Sequence, residues 1–252
     1  MNFRLNDLTV LEQVALALSL IFVGVLLIDP FVLERARALP PDIQAFFRTI
    51  TDIGRSSWML LLTGGTLALV LLLRRRHSDL RNAASYGLIA SALGFVFVSV
   101  AGTALIANLA KGIIGRARPF LFEMGGGLEF RLFAFDPEYA SLPSGHAANI
   151  FALATAIAIL WPKARVLLYT LAAWIAASRV LIGEHYVTDV VAGAILGTAF
   201  PYFVRDRFAA RRWLFERTRA GAYRLRGEGI RRWFGRQGAG WQVWKREREP
   251  HK

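Results

Sequence analysis

A chain of 252 residues that is 55% hydrophobic, with a mean hydropathy of +0.39, is too apolar for an ordinary soluble domain and predicts a membrane protein. It contains no cysteine, which excludes a disulfide framework and any thiolate metal site. The formal net charge of +13 is unevenly placed: from Arg205 onward 15 Lys/Arg face 5 Asp/Glu, a balance of +10, so the basic character belongs to a tail.

Six apolar stretches follow in chain order: Val10–Ile28, Trp58–Leu73, Ala84–Ala110, Ala147–Trp161, Val166–Ile182 and Val187–Val204. In lipid such segments must be helices, because each backbone polar group needs a partner within its own segment. The expectation is an all-α integral membrane protein with six transmembrane helices in residues 1–204, followed by a basic, aromatic-rich cytoplasmic tail at 205–252. A cleaved signal peptide is the rival for the first stretch. Only Arg4 precedes it as a basic residue, Glu12 interrupts it, and no small-residue cleavage site follows Ile28, so an uncleaved helix is expected. Before the second stretch, Ile43, Phe46, Phe47 and Ile50 are spaced for one helical face, which predicts a short interfacial helix within Pro41–Ser56. Ala147–Trp161 is short for a span unless Ser144 and its neighbours are helical as well.

Loop charge sets the orientation. The tail, the run "RRRHSDLR" (Arg74–Arg81) and the Lys163/Arg165 loop share one side, which the positive-inside rule makes cytoplasmic. Arg35, Arg37, Arg48 and Arg55 on the opposite side weigh against this without reversing it. The external segments are then the first loop, Lys111–His146 and the turn at Gly183–His185.

Three polar blocks fall at helix ends on that external side: "KGIIGRARP" (Lys111–Pro119), "PSGH" (Pro143–His146) and "SRVLIGEHYVTD" (Ser178–Asp189). Singly, each cation reads as a snorkelling boundary residue, and Ser144 as a helix N-cap. Asp189 is different, because a carboxylate a turn inside an apolar helix needs a partner, and His185 lies four residues before it. An aspartate that accepts from one imidazole nitrogen leaves the other free to attack or to take a proton. Lys111 and Arg118 are seven apart, and Arg179 closes the fifth stretch. Guanidinium forks grip phosphate oxygens in pairs, and the free N–H groups of a helix opened by Ser144, Gly145 and His146 favour an anion. Three cations, a helix N-terminus and two histidines describe a phosphoryl-transfer site without metal or other cofactor.

The three blocks resemble the type 2 phosphatidic acid phosphatase (PAP2) superfamily, whose pattern is KxxxxxxRP, PSGH and SRxxxxxHxxxD. Every fixed position is present here, in order: Lys111, Arg118 and Pro119; Pro143 to His146; Ser178, Arg179, His185 and Asp189. One departure is Val187, where many members place proline. The resemblance implies that His185 attacks phosphorus and forms a phosphohistidine, that Asp189 orients it, and that His146 protonates the leaving oxygen and then helps activate water. It also implies that Lys111, Arg118, Ser144, Gly145 and Arg179 bind the phosphate oxygens. Soluble vanadium haloperoxidases share this constellation; the membrane helices favour the lipid phosphatase branch.

The expected function is hydrolysis of a lipid phosphate or diphosphate at the periplasmic face of a bacterial inner membrane. Undecaprenyl diphosphate, phosphatidylglycerol phosphate, lipid A 1-phosphate and phosphatidic acid all remain open as substrates. Two other readings compete. A serine hydrolase built on Ser144 and His185 leaves three cations unexplained. A non-enzymatic lipid carrier or anchoring protein fits less well, since no internal repeat is present. The tail interleaves Trp213, Phe215, Tyr223, Trp233, Phe234, Trp241 and Trp244 with arginines. It reads either as a solvated chain or as a helix on anionic lipid headgroups, with no signature for nucleic acid.

Overall fold

The computed structural model describes residues 9–76, 80–124, 129–218 and 221–226. Seven helices and one hairpin make up the regular structure there: α1 (Val10–Arg37), α2 (Pro41–Thr51), α3 (Ser56–Arg76), α4 (Leu80–Ile114), α5 (Gly145–Leu160), α6 (Arg165–Leu181), α7 (Val187–Ala210), and strands β1 (Phe215–Arg217) and β2 (Tyr223–Leu225). All six apolar stretches are helical, apart from Trp161 and Ile182 at two ends. The remaining helix, α2, is the amphipathic segment, opened by Pro41 in its first turn and extended by a 3-10 turn at Asp52–Gly54. Among the described residues, Pro41–Arg76, Ser85–Ile114, Pro162–Leu181 and Val187–Ala210 are long and apolar enough to cross a membrane.

The start of α1 shows why it begins where it does. Thr9 caps it by accepting from the Glu12 N–H, and the Glu12 carboxylate accepts in return from the Thr9 N–H at 2.7 Å. This reciprocal box satisfies two N–H groups that the first turn leaves free.

Helix α5 begins at Gly145, with Ser144 as its N-cap, and ends 16 residues later. At ~1.5 Å per residue that is about 24 Å, short of a ~30 Å hydrocarbon core. Its alanine-rich faces are buried against neighbouring helices. Gly193 and Gly197 of α7 make that approach possible. A Cβ at Gly193 would stand 2.4 Å from the Ser144 carbonyl oxygen, and one at Gly197 would stand 2.2 Å from that of Ala148. Small residues four apart on one helix face are a general device for bringing membrane helices into backbone contact. Here they set the position at which PSGH meets the start of α7.

The chain divides into two compact units. One, within Met1–Met59 and Ser99–Pro201, contains α1, α2, α5, α6, the end of α4 and most of α7, and with them all three polar blocks. The other lies within Leu60–Val98 and Tyr202–Lys252. There the Phe95 ring meets Phe208 and Phe215 edge-on, at centroid distances of 5.7 and 5.0 Å. Leu214 and Phe215 are fully or almost fully buried. In the tail, residues 205–210 continue α7, and Phe215–Arg217 and Tyr223–Leu225 pair as an antiparallel hairpin, with Phe215 opposite Leu225. Trp233, Phe234, Trp241 and Trp244 lie outside the described residues.

Candidate active site

Lys111 sits in the last turn of α4, and the chain then reverses at Gly115, whose φ is +59°. The next residues pair with the loop before α5: Arg131 N–H donates to the Gly115 carbonyl, Ala117 N–H to Glu129, and Arg118 N–H to Glu138. This short ladder turns Arg116 and Arg118 in different directions. At the other end of the site, Gly183, with φ at +71°, stops α6. The Glu184 and His185 N–H groups both donate to the Arg179 carbonyl, at 3.0 and 3.2 Å, which fixes His185 beside the guanidinium two turns earlier in the chain.

Lys111, Arg118, Gly145, His146, Arg179 and His185 line one cavity of about 300 Å³. Ser144, the cap of α5, and Asp189, four residues after His185, are fully buried and do not line it. Residues of all three blocks thus come together around one cavity. Arg55 and Asn149 also line the cavity. Arg118 pairs with Glu184 at 2.8 Å, and Arg179 reaches the same carboxylate at 3.5 Å and the Thr51 hydroxyl at 3.1 Å. The Lys111 ammonium donates to the Ala140 carbonyl at 2.9 Å. Two arginines, one lysine and the N-terminus of α5 give this one hollow a cationic lining, a setting that favours an anion.

The two histidines sit differently. His146 begins α5 and rests against the turn between α2 and α3; a Cβ at Gly54 would meet its Cβ at 3.0 Å. His185 is 2% exposed, and its Nδ1 is 3.6 Å from Oδ2 of Asp189, slightly beyond hydrogen-bond length. Burial pushes the His185 imidazole down to about 4, with Lys111 and Arg179 reinforcing this and Asp189 opposing it. A neutral ring with a free lone pair is the form that can attack phosphorus. We expect the acid limb of kcat/KM, corrected for substrate ionisation, near pH 4. A limb near the ordinary histidine value of ~6.5 would show that His185 titrates as a solvated group.

Sequence reasoning missed several residues here. Asp189 accepts from Arg116 at 2.7 Å, from the Ser141 hydroxyl at 2.5 Å and from the Tyr186 N–H at 3.0 Å. Arg116 in turn reaches Asp29, near the end of α1's apolar run. The rule that singled out Asp189, that an acid within an apolar run needs a partner, applies equally to Asp29. No group of three or more metal-ligating His, Asp or Glu side chains comes together among the described residues.

Residues 92–213 match the PAP2 superfamily. The chain is 33% identical over 184 residues to Lipid A 1-phosphatase of Rhizobium johnstonii, an alignment covering 72% of this chain and 74% of that one. It is also 33% identical over 164 residues to Lipid A 1-phosphatase of Rhizobium etli, covering 64% and 69%. Among solved structures, Aquifex aeolicus LpxE is similar with a TM-score of 0.50 at 18% identity, over 71% of this chain and 95% of that one. The first transmembrane PAP2 type phosphatidylglycerolphosphate phosphatase from Bacillus subtilis is similar with a TM-score of 0.54 at 21% identity, over 79% and 96%. The two solved structures bear on the fold alone. The sequence matches, together with motif blocks that meet around one cationic cavity, show that this multi-pass membrane chain belongs to the PAP2 superfamily.

Proposed function

We propose that the protein removes the phosphate of lipid A 1-phosphate, or a close lipid phosphate, at the periplasmic face of a bacterial inner membrane through a phosphohistidine on His185. That it is a lipid phosphate phosphatase follows from its family and relatives. The choice among lipid substrates is supported by 33% identity, across about three quarters of its length, to a protein named for lipid A 1-phosphate. The observation that carries the mechanism is the buried His185 facing a cavity ringed by Lys111, Arg118 and Arg179, where burial favours the neutral ring.

In this reading the three cations, the Ser144 hydroxyl and the backbone at Gly145 hold the phosphate oxygens. Nε2 of His185 forms a bond to phosphorus as the bond to the lipid oxygen breaks. His146 gives that oxygen its proton, so the lipid departs as an alcohol. The ring of His185 gains positive charge in this step, and Asp189 matches it through Nδ1–H once the 3.6 Å gap shortens. In the second step His146 takes a proton from water, whose oxygen displaces His185 and releases inorganic phosphate. Catalysis is then positioning plus charge stabilisation, the pattern general to phosphoryl transfer.

The test is purified protein assayed side by side on lipid A 1-phosphate, undecaprenyl diphosphate, phosphatidylglycerol phosphate and phosphatidic acid. Highest kcat/KM on lipid A 1-phosphate is expected. Preference for another of the four overturns the substrate assignment, and no phosphate release from any of them returns the carrier reading.

Because the site draws its positive charge from side chains, activity is expected to survive EDTA and to be inhibited by vanadate. Loss on chelation that added Mg²⁺ or Zn²⁺ restores would refute a metal-free mechanism. The orientation has its own check, because the chain has no native thiol. Leu132, exposed in the loop before α5, and Lys163, between α5 and α6, are each changed to cysteine. A membrane-impermeant maleimide on intact cells should label position 132 and spare 163; the reverse pattern would place the site in the cytoplasm.

A further inference from the structure

The carboxylate behind His185 is itself held from behind. Arg116 is wholly buried and lies between two acids: its NH1 donates to Asp189 Oδ1 at 2.7 Å and to the Thr188 hydroxyl at 2.7 Å, and its NH2 donates to Asp29 Oδ2 at 2.9 Å. Thr188 closes the loop, with its N–H donating to Asp29 Oδ1 at 3.0 Å and its hydroxyl to Asp29 Oδ2. The Tyr186 ring covers the guanidinium, 4.1 Å from its carbon. Asp29, Arg116 and Thr188 do not line the cavity, so none of them meets the phosphate.

A buried ion pair is poor evidence of stabilisation, since apolar side chains of the same volume often serve as well. Its charge count is more informative. One guanidinium lies between two carboxylates, so the trio carries one net negative charge. If Asp29 were absent, Arg116 would balance Asp189 alone, and His185 would face a neutral pair. When Nε2 bonds to phosphorus the imidazole becomes cationic, and a neutral pair stabilises it less than a carboxylate with charge to spare.

The geometry points to Asp29, acting through Arg116, as a positioning residue for phosphoryl transfer that keeps Asp189 aimed at His185 with its negative charge only partly compensated. This rests on His185 being the nucleophile. That reading fails separately if the wild-type enzyme gives no phosphohistidine at position 185.

The test uses the full-length protein in detergent with p-nitrophenyl phosphate as substrate and vanadate as the phosphate-site probe. Asp29→Asn is expected to lower kcat about tenfold or more, with KM and the vanadate inhibition constant within about twofold, because the phosphate pocket is untouched. Arg116→Gln leaves two buried carboxylates facing each other and is expected to fall further. The double variant Asp29→Asn/Arg116→Gln is expected to turn over faster than Arg116→Gln alone, since it leaves Asp189 as the sole acid. The charged and titratable groups facing His185 are Lys111 from α4, His146 from α5, Arg179 from α6 and Asp189 from α7, and all are retained. Any movement of the acid limb therefore reports the trio: upward in Arg116→Gln, downward in Asp29→Asn. If Arg116→Gln does not fold, Arg116→Lys, which keeps the charge but lacks the fork to bridge two carboxylates, is expected to lower kcat with KM unchanged. An Asp29→Asn enzyme with wild-type kcat, strictly additive losses in the double variant, or KM and the vanadate constant rising in step with the loss of kcat would each overturn the inference.

Discussion

His185→Ala is expected to abolish turnover and phosphoenzyme formation together while leaving vanadate binding measurable. The side chain is almost wholly buried, and burial beside the cations favours its neutral form. Removing a covalent nucleophile from hydrolases lowers kcat on the order of 10⁴- to 10⁶-fold, with the residue of activity coming from the surviving electrostatic site. Lys111, Arg118 and Arg179 remain in the variant, so an anion should still bind. The measurement is labelling with radioactive lipid phosphate, quenched in alkaline detergent. Wild type should give an acid-labile, base-stable adduct, and His185→Ala none. A melting curve excludes a collapsed cavity as the cause. An adduct that persists without His185 would assign attack to another residue.

His146→Ala should behave differently with different leaving groups. Loss of a proton donor costs roughly 10²- to 10⁴-fold in rate. An alkyl phosphate needs that proton, because its alkoxide is a poor leaving group. The p-nitrophenolate anion leaves without it. The first step should therefore survive in part for p-nitrophenyl phosphate and nearly vanish for a lipid phosphate. If His146 also activates water, the phosphohistidine should accumulate in this variant. Equal losses on both substrates would deny it the acid role, and an adduct seen in His185→Ala but not in His146→Ala would reverse the two assignments.

The parts of this protein legible in sequence are those written in local pattern. Continuous apolar runs specify the helices because lipid offers the backbone no other partner. Lys111, Arg118, His146, Arg179, His185 and Asp189 could be singled out because their spacing is informative against an apolar background. What stayed hidden depends on long-range register. "RARP" contains two arginines, and nothing in those four letters says that Arg116 turns inward to Asp29 while Arg118 turns to the cavity. That choice is made by the reversal at Gly115 and its pairing with Arg131, 16 positions along the chain. Thr51 ends α2, and Gly54 and Arg55 lie in the turn after it, where no periodicity marks them, yet the three touch Arg179, back His146 and line the cavity. The hairpin at Phe215–Arg217 and Tyr223–Leu225 has strands of three residues, too short for alternation to stand out among interleaved arginines and aromatics.

The clasp between Asp29 and Arg116 also has a consequence for biogenesis. The two residues are 87 positions apart, and Asp29 and Thr188 are 159 apart. Translation at ~5–20 residues per second separates the first pair by roughly 4–17 s. Helix α1 therefore enters the membrane with its acid unmatched. Its place at the end of an apolar run, rather than in the middle, keeps that acid within reach of interfacial water while it waits. Thr188 joins only when the start of α7 arrives, so the first of the long helices to be made is tied to the last, and a chain that stops short of Thr188 holds Asp29 without the two bonds that Thr188 gives it.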